Sequence, residues 1–182
     1  PTCDPLPAVT DGAGFTIRPM ADEDLDAVMV LRAAVAGEGR WIGAELPLDE
    51  EGDRARLRPG RSGTGAFVAI AADGTLIANL GIELAPYGVA HLGMCVADGW
   101  RGRGVGRALL TEAIDWGRTA GAHKVDLQLW PHNDAARRLY EGMGFVQEGY
   151  LRRHYTRKTG ELWDAVIMGL VLDEERPGSS LH

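Results

Sequence analysis

The 182-residue chain has few of the cysteines and histidines that form disulfides or bind metals in other proteins. It has two cysteines, Cys3 in a polar terminal stretch and Cys95 in an apolar run. A structural disulfide between them is therefore not expected, and a reducing, cytoplasmic location fits this cysteine usage. The histidines show no paired ligand spacing, so the sequence predicts no metal site.

Positive charge and long apolar runs are also scarce. The 19 Lys and Arg residues are outnumbered by 26 Asp and Glu, which gives a formal net charge of −7. This balance does not favour a nucleic-acid partner. No apolar run is long enough to span a bilayer, so no membrane partner is expected either. The first residues, PTCDPLPAVTDGAG, lack the charged-then-apolar order of a signal peptide and are predicted to form a flexible arm.

Length and hydrophobic periodicity predict one folded domain at residues 15–172, between the flexible arm at 1–14 and a polar tail at 173–182. Strands are predicted at 15–20, at 66–86 (two strands around a turn at Asp73–Gly74), at 89–98, at 124–131 and within 145–172, where a hairpin turns at Thr159–Gly160. Helices are predicted at 21–39, 103–122 (ended by Gly121) and 133–144, with a short helix inside the mixed region 40–65. Strands interleaved with helices predict a mixed α/β or α+β protein built on a single sheet.

Residues 100–109 read WRGRGVGRAL and join a predicted strand to a predicted helix. The first N–H groups of a helix lack intrahelical partners, and together they carry a partial positive charge. Glycines at this point let an anion approach those groups closely, so Gly102, Gly104 and Gly106 predict a phosphate site. The alternative is an ordinary strand-to-helix turn with surface arginines.

Two common phosphate motifs do not fit this turn. The dinucleotide fingerprint Gly-x-Gly-x-x-Gly has Arg107 in its last position, and the Gly-Lys-Ser/Thr of nucleotide-triphosphate loops is missing. What remains is Arg-x-x-Gly-x-Gly, from Arg101 through Gly104 to Gly106. In this motif the chain resembles the GNAT superfamily, acyltransferases that move an acetyl group from acetyl-coenzyme A to an amine. The family binds the cofactor's pyrophosphate with such a motif at a strand-to-helix junction.

The resemblance covers most of residues 15–172. It includes NDAARRLYEGMGF at 133–145, which fits a second family segment, Asn-x-x-Ala-x-x-Leu-Tyr-x-x-x-Gly-Phe. It implies an α+β fold with a single central mixed, mostly antiparallel sheet, a splayed strand pair and flanking helices. It also implies a bulged strand whose backbone pairs with the pantetheine arm of acetyl-coenzyme A. The cofactor-binding residues implied in this way are Met94, Cys95, Val96, Arg101, Gly102, Arg103, Gly104, Val105, Gly106, Arg107 and Asn133.

Tyr140 is the catalytic residue that the resemblance implies. An amine attacks the thioester directly, a tetrahedral intermediate collapses, and Tyr140 donates a proton to the departing thiolate. A phenol has a pKa of about 10 and is protonated at neutral pH; its alternative role is that of a core aromatic. The base that deprotonates the amine stays open between Glu83 and His91 on the central strands. Their alternative roles are an exposed strand carboxylate and a histidine bonded to a backbone carbonyl.

The acceptor is expected to be a small primary amine such as an amino acid. The related ribosomal-protein N-terminal acetyltransferases carry a glutamate where this chain has Gln128, and the 40–65 region here is long. A protein N-terminus or lysine is the alternative acceptor. A non-catalytic sensor of acyl-coenzyme A is a third hypothesis, against which Tyr140 argues. A homodimer is left open.

Two surface groups are candidates for acceptor binding. One is an acidic, aromatic rim suited to a cationic amine, formed by Glu38, Trp41 and Glu45. The other is basic and suited to a carboxylate, formed by Arg152, Arg153 and His154. The alternatives are an ordinary exposed turn for the first group and a charged strand edge for the second.

Overall fold

The structure is a computed structural model that describes residues 9–11 and 14–172. Within these residues one eight-stranded sheet has the spatial order β1-β2-β3-β4-β5-β6-β8-β7. The strands are β1 (Val9–Asp11), β2 (Phe15–Pro19), β3 (Thr64–Ala71), β4 (Leu76–Leu84), β5 (Val89–Val96), β6 (Lys124–Leu129), β7 (Val146–Thr156) and β8 (Leu162–Val171). The helices are α1 (Leu25–Gly37), α2 (Glu50–Leu57), α3 (Val105–Thr119) and α4 (Asp134–Glu141), with a short 3-10 turn at Asp22–Asp24 before α1.

The sheet is mixed and mostly antiparallel, which confirms the predicted fold class. Only β5 and β6 run parallel, and they pair for just three residues, Val89–His91 with 124–126. Beyond that point β5 stays with β4 and β6 stays with β8 along its whole length. A gap therefore opens between β5 and β6, and the predicted splayed strand pair is confirmed.

The bulge implied for β5 is absent, so that prediction was wrong. The register between β4 and β5 runs without a shift from Ala78–Val96 to Leu84–Ala90. A bulge is not needed, because the gap arises on the other side of β5, where β6 follows β8.

The two faces of the sheet carry different helices. Ile82 and Leu92 belong to the main core, which packs under α3 and α4. Cys95 instead packs with Leu31 and Val35 of α1. Because side chains alternate along a strand, the odd-numbered residues 79–83 and 91–95 point to the α1 face.

Glycines set the ends of α3. The helix begins at Val105, two residues later than predicted, because Gly102 and Gly104 have φ of +73° and +86°. These left-handed conformations are easy for glycine and cannot continue a helix. Gly121, with φ of +87°, follows the other end and confirms the predicted stop.

The ends of the chain differ in part from the expected domain limits. Strand β1 pairs with β2 inside the segment predicted to be an arm, so the sheet starts before residue 15. Residues 1–8, 12–13 and the predicted tail at 173–182 lie outside the described residues.

The predicted short helix in region 40–65 is confirmed as α2, whose N-cap Asp49 accepts a hydrogen bond from Gly52 N. None of the helices described is long and apolar enough to cross a membrane.

Candidate active site

A cavity of about 950 Å³ occupies the gap between β5 and β6 and reaches both faces of the sheet. Its α3 side is lined by the glycine-rich turn and α4, and its α1 side by the odd-numbered residues of β4 and β5. The predicted site residues that line it are Glu83, His91, Met94, Cys95, Val96, Arg101, Gly102, Gly104, Gly106, Arg107, Asn133 and Tyr140. The structure thus brings together all predicted catalytic and cofactor-binding residues except Arg103 and Val105.

The backbone of the turn is open to an anion. A Cβ built on Gly102 or Gly104 meets no heavy atom within 4 Å, so the space beside each is free. Gly104 is the N-cap of α3 and offers no side-chain oxygen, which leaves the first N–H groups of the helix available. This arrangement fits the pyrophosphate of a coenzyme A.

Gly106 has a packing role in addition. It is the second residue of α3, and a Cβ there would lie 2.9 Å from Leu139 Cδ2 and 3.3 Å from Met94 Cε. A larger residue here would require the ends of the Leu139 and Met94 side chains to move. Val105 next to it is 1% exposed and belongs to the main core, so its side chain does not reach the cavity.

The three arginines of the turn have different partners. Arg101 donates hydrogen bonds of 2.6 and 2.8 Å to the Glu38 carboxylate and one of 3.1 Å to Val96 O. These hydrogen bonds lower the pKa of Glu38 and raise the pKa of Arg101. Arg103 lies over the Trp100 ring, and Arg107 points toward Met143 at the end of α4. Arg101 therefore joins the turn to α1 and is not a free cation.

Met94, Cys95 and Val96 lie where β5 has lost its pairing with β6. Their backbone groups on that edge therefore face the gap. The Cys95 side chain is 2% exposed and packs against α1, and burial raises the pKa of this thiol to about 11. Cys95 is protonated at neutral pH and can serve a ligand through its backbone only.

Helix α4 positions Asn133 and Tyr140. Asn133 Oδ1 accepts a 3.1 Å hydrogen bond from Ala136 N, so Asn133 is the N-cap of α4. Tyr140 is 7% exposed and packs against Phe145. Burial raises its pKa to about 12, so the phenol is protonated at neutral pH. Its hydroxyl has no hydrogen-bond partner among residues 14–172.

The two candidate bases are neighbours on the α1 face. Glu83 and His91 are opposite each other in the β4–β5 register, and His91 is opposite Asp126 in the β5–β6 register. His91 Nδ1 is hydrogen-bonded to the Asp126 carboxylate, and Nε2 lies 2.7 Å from the Tyr87 hydroxyl. Glu83 is 3.5 Å from Arg61. His91 is thus held by a carboxylate rather than by a backbone carbonyl.

The sequence analysis missed Asp126 and Tyr87. Tyr87 is four residues from His91, and the alternation of strand KVDLQLW puts Asp126 on a different face from its apolar residues. What the sequence does not contain is the parallel pairing that sets Asp126 beside His91, because strand neighbours in a parallel pair are far apart along the chain.

The acceptor side of the cavity is walled by the loop before α2 and the β7–β8 hairpin. Glu45 accepts hydrogen bonds of 3.1 Å from Lys158 N and lies 3.4 Å from Arg157 Nε. Lys158 Nζ donates to Pro47 O at 2.6 Å. Arg157 is 6% exposed, with its guanidinium 4.4 Å from the centroid of Trp163. The loop and the hairpin are therefore joined beside the cavity.

The predicted acidic rim is not formed. Glu38 is paired with Arg101 and also accepts a 2.6 Å hydrogen bond from Trp41 Nε1. Glu45 is neutralised by the hairpin. Trp41 does line the cavity, but with Arg40 stacked 4.3 Å from its centroid it faces a cation of the protein itself.

The predicted basic group lies elsewhere. Arg152, Arg153 and His154 border a separate surface depression on β7, together with Asp164. Asp164 accepts hydrogen bonds from Arg153 N at 2.6 Å and from the Tyr150 hydroxyl at 2.7 Å. A ligand in the main cavity does not meet this group. Within the described range no cluster of three potential metal ligands occurs.

Gln128 lines the cavity from β6. Its Oε1 accepts a 2.6 Å hydrogen bond from the Tyr155 hydroxyl of the hairpin strand β7. It therefore links β6 to the wall of the acceptor side.

Comparison with known proteins agrees with this geometry. The profile described as the Acetyltransferase (GNAT) family matches residues 37–145. N-alpha-acetyltransferase RimI of Mycobacterium tuberculosis is 36% identical over 100 residues, which cover 52% of this chain and 60% of that protein. L-amino acid N-acetyltransferase AaaT of Escherichia coli is 34% identical over 87 residues, 46% of this chain and 51% of that protein. The chain thus spans about half the length of these curated relatives.

Solved structures match over more of the chain. A GCN5-related N-acetyltransferase from Kribbella flavida has a TM-score of 0.78 at 25% identity and covers 89% of this chain and 100% of that one. YncA of Salmonella typhimurium, a putative acetyltransferase solved with acetyl-coenzyme A, has a TM-score of 0.78 at 22% identity and covers 92% and 99%. The second likeness shows the fold alone.

Proposed function

The chain belongs to the GNAT family of acetyltransferases, and on that premise we propose that it transfers an acetyl group from acetyl-coenzyme A to the primary amine of a small molecule such as an amino acid. The family membership carries the reaction. The proposal that the acceptor is a small molecule is supported by the contacts of Glu45 with Arg157 and Lys158, which join the loop to the hairpin. A peptide would need space between these two elements.

The α3 side of the cavity is the cofactor side of this proposal. When bound, acetyl-coenzyme A supplies an activated acetyl thioester. The N–H groups at the start of α3, beside Gly102 and Gly104, bind its pyrophosphate. The free backbone edge of β5 at residues 94–96 binds the pantetheine arm as an added strand would. Asn133 borders the same space with its amide nitrogen.

Tyr140 is the proposed acid. Its hydroxyl lies in the cavity and lacks a protein partner, while burial keeps it protonated. Because the hydroxyl borders the cavity and donates to no group of the described residues, it can donate its hydrogen bond to a leaving sulfur. Tyr140 then gives its proton to the thiolate as the bond to the acetyl group breaks.

His91 is the proposed base, in preference to Glu83. The Asp126 carboxylate accepts from Nδ1–H, which leaves the lone pair on Nε2, where it accepts a hydrogen bond from the Tyr87 hydroxyl. When the amine or a bridging water molecule takes the place of that hydroxyl, Nε2 takes the amine's proton. Asp126 also stabilises the imidazolium that forms. Glu83 has a side chain 58% exposed and is drawn toward Arg61, so solvent and a neighbouring cation both weaken it as a base.

An acetyltransferase of protein N-termini is the second candidate. It is favoured by the likeness to an N-alpha-acetyltransferase, but that protein is matched over 60% of its length only. The contacts between the loop and the hairpin oppose it, because a peptide chain needs space between these two elements.

A thiol-release screen tests the proposal. Purified full chain is given acetyl-coenzyme A and, in turn, amino acids, polyamines and short peptides with different N-terminal residues. We expect release of thiol with at least one small amine and little with any peptide. Higher kcat/KM for peptides than for every small amine would support the second candidate. Tight binding of acetyl-coenzyme A with no thiol release from any amine would instead support a sensor.

A further inference from the structure

Three residues of neighbouring strands form a row on the α1 face of the sheet, and two of them, Asn79 and Cys95, line the cavity. Val68 of β3 pairs with Asn79 of β4, and Asn79 pairs with Cys95 of β5. Helix α1 crosses this row on the odd-numbered face. Its Val28 packs with Val68, and its Val35 packs with Cys95.

Arg32 lies between these two contacts along α1. Residues 28, 32 and 35 lie on one side of a helix, so Arg32 faces the sheet between Val68 and Cys95, where Asn79 lies. Both Arg32 and Asn79 line the cavity. The helix and the strand register therefore bring a cation and an amide together in the lining of the cavity.

Neither side chain is satisfied by the described part of the protein. Arg32 Nε is buried without a hydrogen-bond partner, and no described carboxylate lies within ion-pair distance of its guanidinium. Asn79 is 3% exposed, and its Oδ1 is also buried without a partner. Buried charges and buried amides in native proteins are nearly always paired. Burial and the positive charge of Arg56 lower the pKa of Arg32, and the negative charge of Asp53, which forms no ion pair with it, does not reverse this.

The rest of the cavity lining also favours an anionic ligand. The described residues that line it include six arginines, at positions 32, 56, 58, 61, 101 and 107, and one carboxylate, Glu83. Arg101 is paired with Glu38, Arg56 with Asp53 and Arg61 with Glu83. Arg58 is exposed. Arg32 is thus the cation that combines burial with the lack of a partner.

The path from the proposed base to this pair is open. Gly81 and Gly93 are opposite each other between the Glu83–His91 pair and the Asn79–Cys95 pair. A Cβ on either glycine meets no heavy atom within 4 Å. Each step of two residues along a strand is about 7 Å, so the glycines lie about 7 Å from the Asn79–Cys95 pair and about 7 Å from the Glu83–His91 pair. A compact molecule lying over the two glycines would therefore reach Arg32 and Asn79 with its carboxylate and present its amine at the gap between β5 and β6, from which a water molecule relays the proton to His91.

We propose that Arg32 and Asn79 bind a carboxylate of the acceptor, so that the enzyme acts on amino acids whose amine and carboxylate are close together. The inference rests on the proposed function and names its substrate class. The guanidinium offers N–H donors in the fork geometry that a carboxylate accepts. The Asn79 amide offers another donor, because its oxygen and nitrogen exchange places by a half-turn of the side chain.

The test compares matched acceptors. Leucine, phenylalanine and glutamate are each assayed beside their α-carboxamides and decarboxylated amines, with thiol release read as kcat and KM. We expect at least a tenfold higher kcat/KM for the best amino acid than for its carboxamide. Arg32→Gln is expected to raise KM for that amino acid at least tenfold and to leave the carboxamide within about twofold. Arg118→Gln, on the exposed face of α3, is the matched control and keeps the preference.

A second variant and a second measurement keep the result interpretable. Asn79→Asp puts a carboxylate beside Arg32 and should exclude the amino acid while the decarboxylated amine is still used. Melting temperature is measured with and without each amino acid, and we expect a rise with wild type that Arg32→Gln abolishes. Equal use of amino acid and carboxamide by wild type would overturn the subsite and leave the acetyltransferase intact. Absence of thiol release from every amine would count against the proposed function, while the melting shifts would still test the subsite.

Discussion

Glu83 and His91 are direct partners across β4 and β5, so the structure puts both candidate bases at one point of the cavity. Their remaining contacts differ. Glu83 is exposed and near Arg61, whereas His91 is bonded to Asp126 on one ring nitrogen and to Tyr87 on the other. Because their contacts differ, substitutions of Glu83 and of His91 are expected to have different effects.

We expect His91→Gln to remove the acid limb of the kcat/KM profile between pH 5 and 9, since no side chain then takes the amine's proton at the lower end. Glu83→Gln, the cross-strand control, should keep the limb. Asp126→Asn should lower kcat, because the Nδ1–H loses its carboxylate acceptor and the imidazolium that forms loses a neighbouring negative charge. A limb that survives His91→Gln and disappears in Glu83→Gln would assign the base to Glu83.

Tyr140→Phe is expected to lower kcat about 10²-fold, within the range for loss of a general acid. KM for acetyl-coenzyme A should stay within about twofold, because the ring still packs against Phe145. With its pKa raised to about 12, the phenol stays protonated from pH 6 to 9 and adds no basic limb there. Tyr150→Phe, at a tyrosine on β7 outside the cavity, is the control. Unchanged kcat in Tyr140→Phe would exclude Tyr140 as the acid.

Gly104→Val is expected to abolish binding of coenzyme A, measured by calorimetry, because the side chain would fill the space beside the first N–H groups of α3. Gly74→Val provides the control. Gly74 has φ of +87°, close to the +86° of Gly104, and each has free space around its Cα. Both variants therefore bear a similar backbone penalty, and only Gly104→Val should lose the cofactor. Normal affinity in Gly104→Val would put the pyrophosphate elsewhere.

Asp24 anchors the start of α1. Its carboxylate accepts hydrogen bonds of 2.6 and 2.7 Å from Arg18 and one of 2.8 Å from Ala21 N. The Arg18 hydrogen bonds hold the pKa of Asp24 below its ordinary value. A depressed carboxyl pKa stabilises the fold above the unfolded-state value of about 3.9, and this contribution is lost as pH falls through the folded pKa.

We therefore expect Asp24→Asn to lower the free energy of unfolding by about 2 kcal/mol at pH 7. The difference from wild type should shrink below about pH 4, where the carboxyl becomes protonated in the unfolded chain and then in the folded one. Asp26→Asn, in an exposed pair with Arg54, should cost less than about 1 kcal/mol. Urea titrations at several pH values measure both. A cost for Asp24→Asn that is the same at pH 3 and pH 7 would contradict the assignment.

The elements with local signals were predicted well. The alternation of 15–20 and the glycines around α3 are visible within a few residues, and so is the Asn133 cap of α4. The start of α3 differs from the prediction because glycine conformation cannot be read from composition: the helix begins only after Gly104, which has a left-handed conformation. The bulge implied for β5 was wrong because the gap arises from the pairing of β6 with β8, a contact between residues about 40 positions apart.

The site was predictable where motifs define it and not where the fold assembles it. The turn at 101–107 and Tyr140 have spacings that a sequence displays. The ion pair between Arg101 and Glu38 could not be predicted from the sequence, since it depends on where the end of α1 lies over the sheet. The lack of a partner for Arg32 could not be predicted either, because it depends on the positions of all the residues around it.

The sheet separates the α3 side of the protein from the α1 side, and the gap between β5 and β6 connects the two sides. On the proposed function the donor enters from the side of α3 and α4, and the acceptor from the side of α1 and the hairpin, so neither molecule blocks the entrance of the other. Changes to α1, to the loop at 40–49 or to the hairpin would alter the choice of amine and leave the donor's contacts as they are. One architecture of this kind can therefore serve many acceptors, with only one side of the sheet rebuilt each time.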